Sequence, residues 1–117
     1  MREIQVLNYK VHIGKGAIAG ITGKKCIIIS DTNVYPLYGA RIEANFDEVI
    51  SFVVPAGEES KCIRVYEELL TFLAENGVDK GDQLIALGGG VVGDLTGFAA
   101  ATYMRGLSYI QVPTTLL

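Results

Sequence analysis

The stretch that decides the fold is residues 83–94, QLIALGGGVVGD. It predicts a short apolar strand, a glycine-rich break and the start of an apolar helix in direct succession. Gly88, Gly90 and Gly93 have the G-x-G-x-x-G spacing, in the strand-to-helix context where the backbone can approach a pyrophosphate. The amides and the dipole at a helix start favour an anion there. A tight turn without a ligand is the alternative for this segment alone.

Outward from this loop, strands alternate with helices over almost the whole chain. Strands are predicted within 4–13 (one or two) and at 25–30, 48–54, 83–87 and 108–112, and helices at 16–21, 36–44, 60–76 and 91–104. The 60–76 helix is predicted to have Ser60 as N-cap and Gly77 as C′ residue. Its buried face is predicted to consist of Ile63, Tyr66, Leu69, Leu70 and Leu73. The alternation predicts an α/β domain with a Rossmann-like parallel sheet.

Composition and charge limit the possible functions. The 117 residues, half of them hydrophobic, suffice for a single domain, 1–117, with one core. The net charge is −3, and Lys and Arg are spread singly, which argues against nucleic acid or anionic lipid as a partner. We find no signal-peptide pattern and no apolar run near the ~20 residues of a membrane helix. A cytoplasmic protein without membrane partners is expected.

The cysteines and the histidine of the sequence do not indicate a metal site or a catalytic site. Cys26 and Cys62 do not have a metal-ligand spacing, and two reduced thiols are expected. His12 is the only histidine and falls in an alternating strand pattern, where a structural role is the usual one. A self-contained zinc site is therefore not expected.

The carboxylate that usually binds the ribose of a dinucleotide, about 20 residues after the glycine loop, is missing, because no Asp or Glu follows Asp94. Asp31 is the best replacement, since it ends an earlier strand and parallel strands open onto one crevice at their carboxyl ends. An Asx turn or a helix cap is the alternative for Asp31. Glu58 and Lys61 also follow a strand end and could reach the crevice, although a solvated helix start explains them equally well.

Asp94 and Arg105 are the only charged side chains between residues 83 and 117. On one continuous helix they would lie within about 20° of one face and roughly 16 Å apart. Asp94 could bind a cofactor hydroxyl or amide, or complement the helix dipole. Arg105 could hold a phosphate in its planar fork or anchor a subunit contact.

Residues 86–117, ALGGGVVGDLTGFAAATYMRGLSYIQVPTTLL, closely resemble the signature region of 3-dehydroquinate synthases. PAGEESK at 55–61 and SDTN at 30–33 resemble the same family, in the expected order and spacing. The resemblance implies a substrate-phosphate role for Arg105. It implies a set of cofactor-binding residues that comprises Asp31, Thr32, Asn33, Glu58, Glu59, Ser60, Lys61, Gly89, Gly90, Val91, Gly93, Asp94, Thr114 and Thr115.

Enzymes of this family convert the sugar acid phosphate DAHP into 3-dehydroquinate and phosphate in the shikimate pathway. The resemblance implies NAD as cofactor, a divalent metal (zinc or cobalt) and a homodimer. The metal ligands of the family belong to a C-terminal helical domain, so we expect this chain to be truncated before it and inactive alone. NAD is expected rather than NADP, because Asp31 would repel a 2′-phosphate. The alternatives are a glycerol dehydrogenase-like oxidoreductase, another sugar phosphate cyclase and a nucleotide-binding module without chemistry.

Overall fold

The computed structural model describes residues 2–6, 9–13 and 21–114. Two single turns of 3-10 helix, Glu58–Ser60 and Tyr103–Arg105, accompany the regular elements. No helix in these ranges is long and apolar enough to cross a membrane. The elements are β1 Arg2–Val6, β2 Tyr9–Ile13, β3 Gly23–Asp31, α1 Tyr35–Glu43, β4 Phe46–Val54, α2 Ile63–Glu75, β5 Gln83–Gly88, α3 Gly90–Thr102 and β6 Ser108–Pro113.

The strands form one sheet in the order β1-β2-β6-β5-β3-β4. β1 and β2 pair antiparallel, and every other neighbouring pair is parallel. The predicted α/β class with a Rossmann-like parallel sheet is confirmed, and the one or two strands expected within 4–13 are a hairpin. The helix predicted at 16–21 lies outside the described residues except for Ile21, which is not helical.

Helices cover both faces of the sheet because successive residues of β3 point to opposite sides and are apolar on both. Ile28 packs in one cluster with Ile42 of α1, whereas Ile27 packs in another with Leu69 of α2 and Leu95 of α3. The chain therefore leaves β3 toward one face and leaves the neighbouring strand β5 toward the other. Such a reversal between adjacent strands opens a crevice at their carboxyl ends, where ligands of α/β sheets bind.

The start of α2 differs from the sequence prediction. The helix begins at Ile63, and Ser60 is not its N-cap: the Ser60 side chain is buried in the preceding 3-10 turn and donates a hydrogen bond to the Pro55 carbonyl. Ile63 is 75% exposed, so its assignment to the buried face was wrong. The buried face of α2 consists of Val65, Leu69 and Leu73, which are spaced four residues apart and therefore lie on the same side of the helix. Ile63 lies outside this spacing.

The end of α2 agrees with the prediction. Gly77 adopts φ 66°, and its N–H donates to the Ala74 carbonyl at 3.1 Å. The N–H of Val78 donates to the Leu73 carbonyl at 3.0 Å. This pair of bonds is a Schellman motif, which satisfies the last carbonyls of the helix through a left-handed residue at C′.

The end of α3 was predicted two residues too late. The helix ends at Thr102, and the next turn holds Met104 at φ 48° and Arg105 at φ 66°. The N–H of Leu107 donates back to the Ala100 carbonyl, which reverses the chain into β6. Because no continuous helix joins Asp94 to Arg105, the expected alignment of the two side chains on one helix face was wrong.

Candidate nucleotide-binding site

Gly88, Gly90 and Gly93, at the junction of β5 and α3, have three different surroundings. A Cβ on Gly88, which has φ 156°, would lie 3.0 Å from a side-chain carbon of Val92. A Cβ on Gly93 would lie 2.8 Å from the side-chain nitrogen of Gln111 in β6. A Cβ on Gly90 would meet no atom within 4 Å. The first glycine thus permits a tight turn, the third permits close packing of helix on strand, and the second borders open space, as in dinucleotide-binding loops.

The helix start beside this loop can accept an anion. Gly89 is the N-cap residue of α3 and offers no side-chain cap. The first intrahelical bond of the turn runs from the Gly93 N–H to the Gly89 carbonyl at 3.1 Å. The amides of the preceding helical residues have no partner within the helix. No acidic residue lies in the first turn to compete for them, so the amides and the helix dipole are available to a phosphate group.

Asp31 stands at the carboxyl end of β3, on the crevice. Its Oδ1 accepts hydrogen bonds from the N–H groups of Asn33 at 2.9 Å and Val34 at 2.8 Å. Asp31 therefore forms the Asx turn that was the alternative interpretation, and it does so through Oδ1. These two hydrogen bonds hold the carboxylate at the start of the turn into α1, and neither of them uses Oδ2.

Thr32 joins the ends of β3 and β4. Its N–H donates to the Val54 carbonyl at 3.0 Å, and its hydroxyl oxygen accepts from the Ala56 N–H at 3.0 Å. The turn after β3 and the loop after β4 are thereby tied to each other. Both segments contain candidate cofactor residues, which consequently lie along the same edge of the sheet.

Lys61 and Asp94, from two separate sequence motifs, form an ion pair. The Nζ of Lys61 lies 2.7 Å from Oδ2 of Asp94, and the two side chains are 46% and 49% exposed. The hydrogen bond to Asp94 raises the pKa of Lys61. Glu58 and Glu59, in the turn before Lys61, are exposed. The loop after β4 therefore contacts the first part of α3 beside the glycine loop.

Thr114 and Arg105 lie at opposite edges of the sheet. Thr114 follows Pro113, which pairs with Gly88, so Thr114 adjoins the glycine loop. Arg105 lies beyond the far end of α3, a helix of 13 residues and hence about 20 Å long. The structure does not bring Arg105 to the crevice of its own chain. Thr115 and the side chain of His12 lie outside what the structure describes.

Two features of the site were missed by the sequence prediction. The buried hydroxyl of Ser30 donates to the Leu87 carbonyl at 2.7 Å, and its only signal was a serine ending the apolar run 26–30. A groove of about 350 Å³ runs between the starts of α2 and α3. The sequence pattern does not predict this groove, because it places Ile63 on the buried face of the helix. Its lining consists of Lys61, Cys62, Ile63, Tyr66, Leu95 and Phe98.

Metal donors and thiols add little to this site. Within residues 2–6, 9–13 and 21–114, no group of three or more His, Cys, Asp and Glu side chains could hold a metal ion. Cys26 and Cys62 are both free thiols, the first buried and the second exposed. Burial, together with the nearby Glu43, raises the pKa of Cys26 to about 12, so this thiol stays protonated.

The fold of this chain is similar to that of solved structures. A 2-epi-5-epi-valiolone synthase from Streptomyces hygroscopicus subsp. jinggangensis, solved with NAD⁺ and Zn²⁺ bound, has a TM-score of 0.78 and 26% identity to it. The match covers 97% of this chain and 34% of that one.

Curated relatives have a higher sequence identity to this chain than that structure has, and a family model also matches the chain. A 3-dehydroquinate synthase of Clostridium acetobutylicum is 43% identical over 98% of this chain and 36% of its own length. One of Caldanaerobacter subterraneus subsp. tengcongensis is 49% identical over 83% and 28%. The chain thus spans about a third of the length of these relatives. The family model for the N-terminal part of 3-dehydroquinate synthase matches residues 51–117. This chain belongs to the 3-dehydroquinate synthase family.

Proposed function

We propose that this chain is the NAD-binding portion of a 3-dehydroquinate synthase, which in its full-length form converts DAHP into 3-dehydroquinate and phosphate. The observation that carries the proposal is the division of roles among Gly88, Gly90 and Gly93, since of these three Gly90 alone borders open space. The names of the curated relatives support the reaction, and the glycine loop supports the cofactor. The fragment alone is expected to be inactive.

The pyrophosphate of NAD is assigned to the loop between β5 and α3. Gly89, Gly90, Val91 and Gly93 would bind it through the loop backbone and the positive end of the α3 dipole. No side chain has to move, because Cβ atoms built on Gly89 and Gly90 meet nothing within 4 Å. When bound, NAD⁺ supplies a hydride acceptor that regains its oxidised form within each turnover.

The ribose next to the adenine is assigned to Asp31. The two backbone bonds to Oδ1 orient the carboxylate, so that Oδ2 can accept a hydrogen bond from a ribose hydroxyl. Thr32 and Asn33 extend this contact along the turn after β3. A 2′-phosphate at this position would meet the Asp31 carboxylate, and the site should therefore prefer NAD⁺ to NADP⁺.

The remaining cofactor contacts are assigned to the loop after β4 and the end of β6. The Lys61–Asp94 ion pair lies beside the glycine loop, where Lys61 can turn to a phosphate and Asp94 to a hydroxyl or amide of the cofactor. Glu58, Glu59 and Ser60 shape this loop. Thr114 and Thr115 follow β6 on the same edge of the sheet.

Arg105 is proposed to bind the phosphate of the substrate. Its backbone at φ 66° and that of Met104 at φ 48° cost free energy, and such strain concentrates at functional positions. Since Arg105 lies at the edge opposite the glycine loop, it can serve a phosphate at that crevice only in another copy of the chain. The assignment therefore goes together with the proposed homodimer.

The ligands of the divalent metal are proposed to lie in the rest of the full-length protein. The described residues contain no cluster of donors, so no zinc or cobalt ligand is assigned to them. A cytoplasmic location is proposed on the basis of the biosynthetic reaction.

A second candidate is a sugar phosphate cyclase that acts on another substrate, which the structural similarity to the 2-epi-5-epi-valiolone synthase favours. The identity to that protein is 26%, against 43% and 49% to two 3-dehydroquinate synthases. We therefore prefer DAHP as the substrate.

The test has two parts. Calorimetric titration of the protein with NAD⁺ and NADP⁺ should give tighter binding of NAD⁺. The full-length gene product, supplied with NAD⁺ and a divalent metal, should release phosphate from DAHP without accumulating NADH. Tighter binding of NADP⁺ would reject the cofactor assignment. Stoichiometric NADH would indicate a dehydrogenase, and turnover of another sugar phosphate but not DAHP would indicate a different cyclase.

A further inference from the structure

The backbone ladder between β3 and β5 ends before the two strands do. β3 pairs with β5 only from Ile27↔Leu84 to Ile29↔Ala86. On its other side β3 continues to Asp31↔Val54, and β5 continues beside β6 to Gly88↔Pro113. Backbone pairing between the two strands that flank the crevice therefore stops two residues before Asp31 on one side and two residues before Gly88 on the other.

Ser30 crosses this gap with its side chain. Ser30 and Leu87 are the residues that would pair next if the ladder continued, and both are fully buried. Instead, the Ser30 hydroxyl donates to the Leu87 carbonyl at 2.7 Å. This side-chain bond takes the place of the missing backbone bond. Without the Ser30 hydroxyl, β3 would supply no donor to the Leu87 carbonyl. Loss of a hydrogen bond to a buried carbonyl is normally unfavourable.

The bonded carbonyl belongs to the peptide that enters the glycine loop. Leu87 directly precedes Gly88, whose φ of 156° turns the chain toward Gly89 and Gly90. Gly88 has no side chain to restrain that peptide plane, and the hydrogen bond from Ser30 restrains it on the crevice side. Ser30 is also adjacent in sequence to Asp31. One hydroxyl thus links the two halves of the crevice.

We propose that Ser30 is a positioning residue that sets the glycine loop relative to Asp31, and that it thereby determines the affinity for the pyrophosphate of the cofactor. It acts through the Leu87 carbonyl and does not touch the cofactor. The inference rests on the proposed function, because it takes the ligand of the crevice to be NAD⁺. It predicts that loss of the hydroxyl impairs the pyrophosphate half of the site and spares the adenosine half on the β3 side.

The experiment compares two ligands in matched variants of the full-length protein. On the proposed assignments, NAD⁺ would span both halves, whereas adenosine would contact only the β3 side. Ser30→Ala should raise the Kd for NAD⁺ about tenfold, the factor that corresponds to about 1.4 kcal/mol, and leave the Kd for adenosine unchanged. The control is Cys26→Ala, a substitution on the same face of β3 at a side chain that is also fully buried. It should lower the melting temperature while both affinities stay as in the wild type.

Ser30→Cys guards against a variant that fails to fold, because it nearly keeps the side-chain volume and replaces the hydroxyl with a weak donor. Its Kd for NAD⁺ should lie between those of the wild type and Ser30→Ala. An unchanged Kd for NAD⁺ in Ser30→Ala and Ser30→Cys would overturn the proposal, as would an equal loss of adenosine binding or an equal loss of NAD⁺ binding in Cys26→Ala. Failure of the wild type to bind NAD⁺ would instead reject the proposed function.

Discussion

Substitution of Gly90 by alanine should separate stability from cofactor binding. Gly90 is the first residue of α3, and its φ is not positive, so alanine can adopt its conformation. A Cβ there meets no protein atom within 4 Å. Glycine-to-alanine changes at such compatible positions raise the free energy of unfolding by about 0.4–1 kcal/mol. Stability should therefore be unchanged or slightly increased.

NAD⁺ binding by Gly90→Ala should nevertheless fall, because the methyl group occupies the space through which a phosphate approaches the loop amides. Loss of one hydrogen bond to a charged group costs about 1.5–3 kcal/mol, which is a rise in Kd of about 10- to 150-fold. Calorimetric titration gives the Kd, and urea unfolding gives the free energy of unfolding.

Gly77→Ala is the control for Gly90→Ala. Gly77 has φ 66° and lies after α2, at the opposite edge of the sheet. This variant should lose about 1–2 kcal/mol of stability through left-handed strain and keep its affinity for NAD⁺. Wild-type affinity for NAD⁺ in Gly90→Ala, or a loss of stability as large as that in Gly77→Ala, would refute the assignment of Gly90 to an open cofactor cradle.

Three further predictions address single residues. Asp31→Asn keeps an oxygen for the two backbone hydrogen bonds and removes the charge, so the melting temperature should stay unchanged. Its preference for NAD⁺ over NADP⁺, measured in paired titrations, should decrease. An unchanged preference would exclude Asp31 as the discriminating group. Burial raises the pKa of Cys26 to about 12, whereas an unfolded thiol has a pKa of about 8.5. The folded state therefore keeps this proton at pH values where the unfolded state loses it. The free energy of unfolding should be at its full value below about pH 8.5 and fall by about 1.4 kcal/mol per pH unit from there to about pH 12. Urea titrations of Cys26→Ala should lack this part of the slope. Arg105→Ala in the full-length protein should reduce turnover and substrate affinity with the Kd for NAD⁺ unchanged; an equal loss of NAD⁺ binding would make Arg105 a cofactor ligand or a structural residue.

Local patterns in the sequence were sufficient for the elements and the loop. The β-branched residues within 25–30 predicted a buried parallel strand, and the glycine spacing after residue 87 predicted a turn into a helix, because both depend on interactions between near neighbours in the chain. Gly77 could be assigned for the same reason, since a helix end that needs a left-handed residue favours glycine locally.

Tertiary contacts decided the features that local patterns left open. Ile63 has the spacing of a buried residue, but the position of the sheet relative to α2 leaves it exposed and buries Val65 instead. α3 ends at Thr102 because the chain must turn back into β6, which helical periodicity does not encode. The Ser30–Leu87 and Lys61–Asp94 contacts join residues far apart in sequence, and they exist only because the order of the strands brings the carboxyl ends of β3, β4 and β5 to one edge.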